Sequence, residues 1–163
     1  MVFILFISFI ILLRLEEIIL SRRNQSWLLQ QGAVEYGQKH YPFIVALHIL
    51  FIVSLIIEYS TTRTASFSRF FLVLYFLILA FKIWVIASLG KFWNTKIYHI
   101  QGFPLIKKGM YKYFRHPNYL VVIAEIAIIP LAFQLYYTAI TFTVLNALML
   151  FVRVSEENRV LKI

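Results

Sequence analysis

Five long apolar runs constrain the fold of this chain more than any other feature of its sequence. They cover residues 2–20, 42–58, 67–89, 118–134 and 136–152. Each is close to the ~20 residues that an α-helix needs to cross ~30 Å of hydrocarbon. A soluble protein of 163 residues has no core large enough to bury all of them. The sequence therefore predicts an all-α integral membrane protein with about five transmembrane helices, in a single domain covering residues 1–163.

The last two runs are separated only by the segment Gln-Leu-Tyr-Tyr-Thr at 134–138. So short a connection predicts a C-terminal helical hairpin whose tyrosines lie among the lipid headgroups. The first run is weakened near its end by Arg14, Glu16 and Glu17, so that four or six spans stay open as alternatives.

Net charge is +9, and the basic residues lie between the apolar runs rather than on one polar face. This pattern favours membrane orientation over nucleic-acid binding. Segments 21–41, 90–117 and the C-terminal tail, with Lys162 at its end, carry most Lys and Arg, whereas 59–66 carries Arg63 alone. The positive-inside rule then predicts an outside N-terminus and a cytoplasmic C-terminus. No cysteine is present, which excludes disulfides and thiolate chemistry, and no metal site is predicted.

The junction Arg-His-Pro-Asn-Tyr at 115–119 is the first candidate site. Pro117 suits the first turn of a helix, and it pushes His116 toward an extended conformation. The imidazole and the free N–H groups of the helix would then face one point, where a polar or anionic ligand group can bind. An interfacial anchor of Arg, His and Tyr is the alternative.

The C-terminal tail is the second candidate. Arg153 and Glu157 share a helical face at i,i+4, next to Glu156 and Arg159. The carboxylates can hold a cationic group, and the alternative is a solvated helix end with weak salt bridges.

Four further polar residues within the apolar runs are candidates for function or for packing. Glu125 must be paired or protonated at membrane depth, which makes it a functional candidate. Asn146 is either functional or a hydrogen-bonding contact between helices. Lys82 is expected to extend toward the interface, and His48 to be a packing residue. The cytoplasmic connection at 89–114 is too long for a plain loop and predicts a lid or a segment lying on anionic lipid.

Several of these segments together resemble the isoprenylcysteine carboxyl methyltransferase family. The resemblance rests on LGKFWNTKI (89–97), KKGMYKYFRHPNYL (107–120), Glu125, Asn146 and RVSEENRVL (153–161). It implies a compact, bacterial-type membrane enzyme that uses S-adenosylmethionine (SAM), with its catalytic half at about 89–163. It also implies a cytoplasmic cofactor pocket and a lipid-facing tunnel for an apolar substrate.

The resemblance also implies roles for individual residues. It assigns SAM binding to His116, Tyr119, Gly109, Tyr113, Glu156 and Glu157. The family's Glu-Glu-x-x-Leu pattern places its acids at Glu157 and Asn158 if Leu161 sets the register, or at Glu156 and Glu157 one residue earlier. Glu157 is favoured because both registers include it.

The catalytic candidates are Arg153, Arg115 and Glu125. Either arginine can bind the cofactor carboxylate or align an anionic acceptor oxygen. An anionic acceptor needs no strong base, whereas a neutral hydroxyl would need Glu125 or His116.

The predicted function is SAM-dependent O-methylation of a lipophilic small molecule in the bilayer, such as an alkylpyrone or a phenolic lipid from a polyketide synthase. The enzyme alternatives are a prenylcysteine carboxyl methyltransferase and a phospholipid N-methyltransferase. A small transporter or lipid-binding scaffold, with Glu125, Lys82 and His48 along a polar pathway, is the non-enzyme alternative.

Overall fold

The computed structural model describes residues 1–62, 66–104 and 106–161. The described chain is 76% helical, so the all-α prediction is confirmed. Its five α-helices are α1 (Val2–Gln30), α2 (Tyr41–Thr62), α3 (Arg69–Leu89), α4 (Pro117–Leu131) and α5 (Tyr136–Leu161). Two 3₁₀ turns, Gly90–Phe92 and Gly109–Lys112, and two short strands, β1 (Val34–Tyr36) and β2 (Ile97–His99), complete it. The predicted loop cations Arg63 and Lys162 lie outside the described residues.

The helices correspond to the predicted runs, but two of them are longer. Helix α1 continues to Gln30 and α5 to Leu161, past runs that end at 20 and 152. Neither extension contains a glycine or proline that would end the helix. By length and composition, α2, α3 and α5 can each cross a membrane. Because α1 carries three charges by residue 17 and α4 has only 15 residues, the count of five spans stays a prediction.

The predicted C-terminal hairpin is present. Its turn is closed by Leu135 N, which donates to Pro130 O at 3.0 Å, with Gln134 at φ 59°. Helix α2 lies antiparallel to α5. The Glu58 carboxylate of α2 accepts bonds of 3.1 and 2.7 Å from the amides of Tyr137 and Thr138, which satisfies donors at the start of α5.

The larger apolar cluster lies toward the hairpin turn, and the candidate site segments lie toward the other end of the bundle. Near the hairpin turn, Phe3 and Phe6 of α1 pack on Phe133, with ring centroids 5.1 and 5.4 Å apart. At the other end, which we call the loop end, the 90–116 connection meets α1 and the C-terminal part of α5. There β1 and β2 form an antiparallel ribbon, with Tyr36 opposite Ile97. Strands of three residues have too few positions to show an alternating pattern, so the ribbon was not predicted.

Candidate functional site

The start of the long connection is fixed against α1. The buried Asn24 donates to the carbonyls of Gly90 and Trp93, at 3.2 and 2.6 Å. Ser21 accepts a bond from the Thr95 amide at 3.1 Å. These bonds fix segment 93–95 at the loop end, and we call this segment the wall.

The two candidate segments meet at this wall. Pro117 is the first residue of α4, as the sequence predicted. His116 precedes it with φ −130° and ψ 59°, so its φ is that of an extended residue but its ψ is not. Arg153 Nε donates to the Tyr119 hydroxyl at 2.9 Å, and Arg153 Nη2 donates to the Thr95 carbonyl at 2.6 Å. The Tyr119 hydroxyl in turn donates to the Glu157 carboxylate. These bonds tie the start of α4, the end of α5 and the connection into one polar cluster.

His116 completes the cluster. Its ring stacks on that of Tyr119, with centroids 5.3 Å apart, and its Nε2 lies 2.9 Å from Asn158 Oδ1. Because a carbonyl oxygen only accepts, Nε2 carries the proton in this contact. His116 Nδ1 lies 3.6 Å from Glu157 Oε2.

The two neighbouring glutamates have different environments. Glu157 contacts Tyr119 and faces the cavities described below. Glu156 instead pairs with the exposed Arg159 at 2.7 Å. Asn158, in the second acid position of one register, contacts His116. The side chain of Leu161, which would set that register, is outside the part of the structure that is described.

A cavity of about 340 Å³, here called the loop cavity, lies at the loop end. Its polar and aromatic lining includes Tyr98, Phe103, Lys107, Tyr111, Arg115 and Glu157. Burial raises the pKa of Tyr98, and so does its hydrogen bond to Glu35. Burial and the nearby Glu157 charge raise the pKa of Tyr111. Both phenols therefore stay protonated and uncharged at neutral pH.

A smaller inner pocket of about 100 Å³ reaches from the loop cavity lining to the polar cluster. The two share Leu89, Phe92, Tyr98, Tyr111 and Glu157. The inner pocket adds His116, Tyr119 and Arg153.

A third cavity, the lipid cavity, has about 480 Å³ and mostly aliphatic walls from α1, α2 and α5. It shares Trp93, Asn118, Tyr119 and Arg153 with the inner pocket. A polar space and an apolar space thus meet at the Tyr119–Arg153 pair. Two buried donors in the lipid-cavity lining, Trp93 Nε1 and Asn146 Nδ2, have no acceptor among the described residues.

Glu125 lies in a different cluster. It accepts from Arg14 at 2.8 Å and from Lys82 at 3.1 and 3.2 Å, and both cations also contact Glu17. The expectation that Lys82 extends to the interface is wrong: its side chain is 4% exposed, because a buried carboxylate pair attracts it more than the distant headgroups. Glu125 is absent from the linings of the three cavities described.

The remaining candidates differ in position. Arg115 is exposed and lines the loop cavity. Tyr113 is 73% exposed and carries Lys112 over its ring. Gly109 packs on Ser88 of α3. Neither Tyr113 nor Gly109 is among the lining residues of the described cavities.

Gly109 is expected to be required for packing. It has φ +55°, and a Cβ there would collide with the Ser88 side chain, whereas Gly102 at φ +77° has open space around it. We expect Gly109→Ala to lower the unfolding free energy by about 1–3 kcal/mol more than Gly102→Ala, through overpacking. Thermal unfolding in detergent measures this difference. Equal losses would show that backbone conformation alone requires glycine at both positions.

Several residues that build the site or the buried ion cluster were not predicted from the sequence. Asn24, Thr95 and Trp93 build the wall, Tyr98 and Tyr111 line the loop cavity, and Arg14 and Glu17 neutralise their buried partners. For Asn24, the sequence shows only a polar residue in the part of α1 that continues past the predicted run. The charges of Arg14 and Glu17 were noticed only as a weakness of the first span.

Comparison with known proteins assigns the chain to a family. The sequence model of the isoprenylcysteine carboxyl methyltransferase (ICMT) family matches residues 69–163, more than half of the chain. The chain belongs to this family. ICMT members are SAM-dependent membrane methyltransferases, which supports methyl transfer as the activity and an integral membrane location. The match begins at α3, so it covers the inner pocket but not α1 and α2.

Two curated relatives extend over nearly the whole chain. The uncharacterized protein YpbQ of Bacillus subtilis is 42% identical over 161 residues, covering 97% of this chain and 95% of the relative. An uncharacterized protein of Haemophilus influenzae is 29% identical over 151 residues, covering 91% and 88%. No solved structure is significantly similar to this ICMT-family chain.

Proposed function

We propose that this chain is an O-methyltransferase that transfers the methyl group of SAM to an oxygen of a lipophilic small molecule. One observation carries the proposal: the polar inner pocket and the apolar lipid cavity share Tyr119 and Arg153. A water-soluble donor and a membrane-dissolved acceptor can approach each other only at such a junction.

The residues around the loop cavity and inner pocket fit SAM. The loop cavity of about 340 Å³ is within the range of small-molecule sites, about 300–1,000 Å³. Glu157 offers a carboxylate for the ammonium group, Arg115 a guanidinium for the carboxylate, and Tyr98 and Tyr111 aromatic faces for cationic and flat groups. When bound, SAM supplies a methyl group on a positively charged sulfur.

Arg153 is the residue best suited to hold the acceptor oxygen. It lines both spaces, and its bonds to Tyr119 and Thr95 fix its direction. The orientation of donor and acceptor is the main contribution such a site makes to methyl transfer. The unpartnered indole N–H of Trp93 is a second donor at the same junction.

An anionic acceptor suits these residues best. A guanidinium next to the reacting oxygen favours carboxylate, phenolate or enolate over a neutral alcohol. Glu125 is a poor general base, because Arg14 and Lys82 already hold it. If a base is needed, His116 is the better candidate, since it lines the inner pocket.

The chemical class of the acceptor is the most specific part of the proposal. An alkylpyrone or phenolic lipid combines an acidic oxygen with an alkyl tail that suits the lipid cavity, and only the resemblance points to it. A prenylcysteine carboxylate has the same two parts, and family membership favours it. Phospholipid N-methylation is disfavoured because Arg153 would face a basic amine. Family membership also disfavours the transporter alternative. The loop end is cytoplasmic in this proposal, because most of the cations lie there.

The proposal is tested with detergent-purified protein. We expect SAM and its demethylated product to bind with micromolar affinity in calorimetry. We also expect label from methyl-labelled SAM to enter a lipid of the native membrane extract. A correctly folded preparation that binds neither compound would refute the proposal.

A further inference from the structure

The lipid cavity contains polar groups far from the methyl-transfer junction. Asn146 lies seven residues before Arg153 on α5, and both line the cavity. Seven residues at ~1.5 Å each place Asn146 about 10 Å deeper than Arg153 along the helix.

His48 lies at the same depth on α2. It is seven residues from Tyr41, whose hydroxyl is 3.3 Å from Thr95 Oγ1, and the Thr95 carbonyl binds Arg153. Tyr41 and Arg153 therefore lie at about the same depth along the bundle. The antiparallel register agrees, because Ser54 bonds Thr138 at 2.8 Å and Phe51 packs on Phe142 at 5.4 Å.

The two side chains offer complementary hydrogen-bonding groups. Asn146 is 3% exposed, and its Nδ2 has no acceptor among the described residues. His48 Nδ1 lies 2.8 Å from the Ile44 carbonyl. Because this oxygen only accepts, Nδ1 carries the proton of the neutral ring and Nε2 is an acceptor. Burying a donor without a partner is costly, and in a membrane segment it is a mark of function.

We propose that Asn146 and His48 form a second polar subsite in the lipid cavity, which binds a hydroxyl group carried by the acceptor about 10 Å from the oxygen that is methylated. A hydroxyl accepts from Asn146 and donates to His48, so it satisfies both groups. This inference rests on the proposed function for the position of the methylated oxygen. It adds that the tail of the natural acceptor is oxygenated rather than plain hydrocarbon.

Two phenols with alkyl chains of equal length test the subsite. One chain is plain and the other has a hydroxyl about 10 Å from the phenolic oxygen. We expect calorimetry to show that the hydroxylated phenol binds wild-type protein about tenfold more tightly, which corresponds to roughly one well-made buried hydrogen bond. In Asn146→Leu and His48→Phe we expect the ratio of the two affinities to fall to about one.

The controls separate binding from folding. Val144→Leu changes an exposed residue of α5 outside the cavity lining, and it is expected to keep the tenfold preference. Asn146→Leu removes an unpartnered donor, so its melting temperature is expected to stay the same or rise. A purely structural Asn146 would instead lower the melting temperature and leave the preference intact, which overturns the proposal.

The result is independent of turnover. Equal binding of the two phenols, or no binding of either, overturns the subsite even if another lipid is methylated. A tenfold preference without methyl transfer to any acceptor leaves the subsite standing and refutes the proposed function instead.

Discussion

Replacing Glu157 with glutamine is expected to weaken SAM binding at least tenfold. The glutamine oxygen can still accept from Tyr119, so the cluster keeps its shape while the negative charge is lost. Hydrogen bonds to charged groups contribute about 1.5–3 kcal/mol, and 1.4 kcal/mol corresponds to tenfold in affinity. Calorimetric titration with the demethylated product separates this effect from the chemical step.

The neighbouring glutamate is a matched control. Glu156→Gln makes the same chemical change one residue earlier, where the side chain pairs with Arg159 at the surface. We expect its affinity for SAM to stay within about twofold of wild type, because an exposed pair contributes little. A larger loss in Glu156→Gln than in Glu157→Gln would contradict the assignment.

The helices could be predicted from sequence because apolar runs near 20 residues have few other solutions in a chain of this composition. The extension of α1 could not, because it is stabilised by contacts at the loop end, whereas the helical spacing of Arg153 and Glu157 already indicated a helical tail after residue 152. Asn24 bonds the Trp93 carbonyl and Arg153 bonds the Thr95 carbonyl. These contacts join residues that are far apart in the chain.

Part of the candidate site could also be predicted, because some of its residues lie in local sequence patterns. His116, Tyr119, Arg153 and Glu157 belong to recognisable motifs, and the structure brings them together. Asn24 was missed because it lies outside every motif, and Trp93 was missed because its motif assigned it no role. The partners of Glu125 are 111 and 43 residues away, and no local pattern encodes such pairing.

The pairing of Glu125 changes the interpretation of that residue. Arg14, Glu17, Lys82 and Glu125 form a neutral cluster of two cations and two carboxylates. Each cation contacts both carboxylates, so the cluster connects α1, α3 and α4. This arrangement stabilises the bundle and leaves no free carboxylate for proton transfer.

Replacing Glu125 with glutamine is therefore expected to lower the unfolding free energy by about 3–5 kcal/mol, as when one partner of a buried ion pair is removed. The variant leaves Arg14 and Lys82 with Glu17 alone, a net buried positive charge. Unfolding in detergent measures the loss, with Glu16→Gln as control, because Glu16 is an exposed glutamate of α1, next to Glu17. The double variant Glu125→Gln/Lys82→Gln restores neutrality and should recover part of the stability. A general base would behave oppositely: Glu125→Gln would keep wild-type stability and SAM affinity while turnover fell by 10²-fold or more.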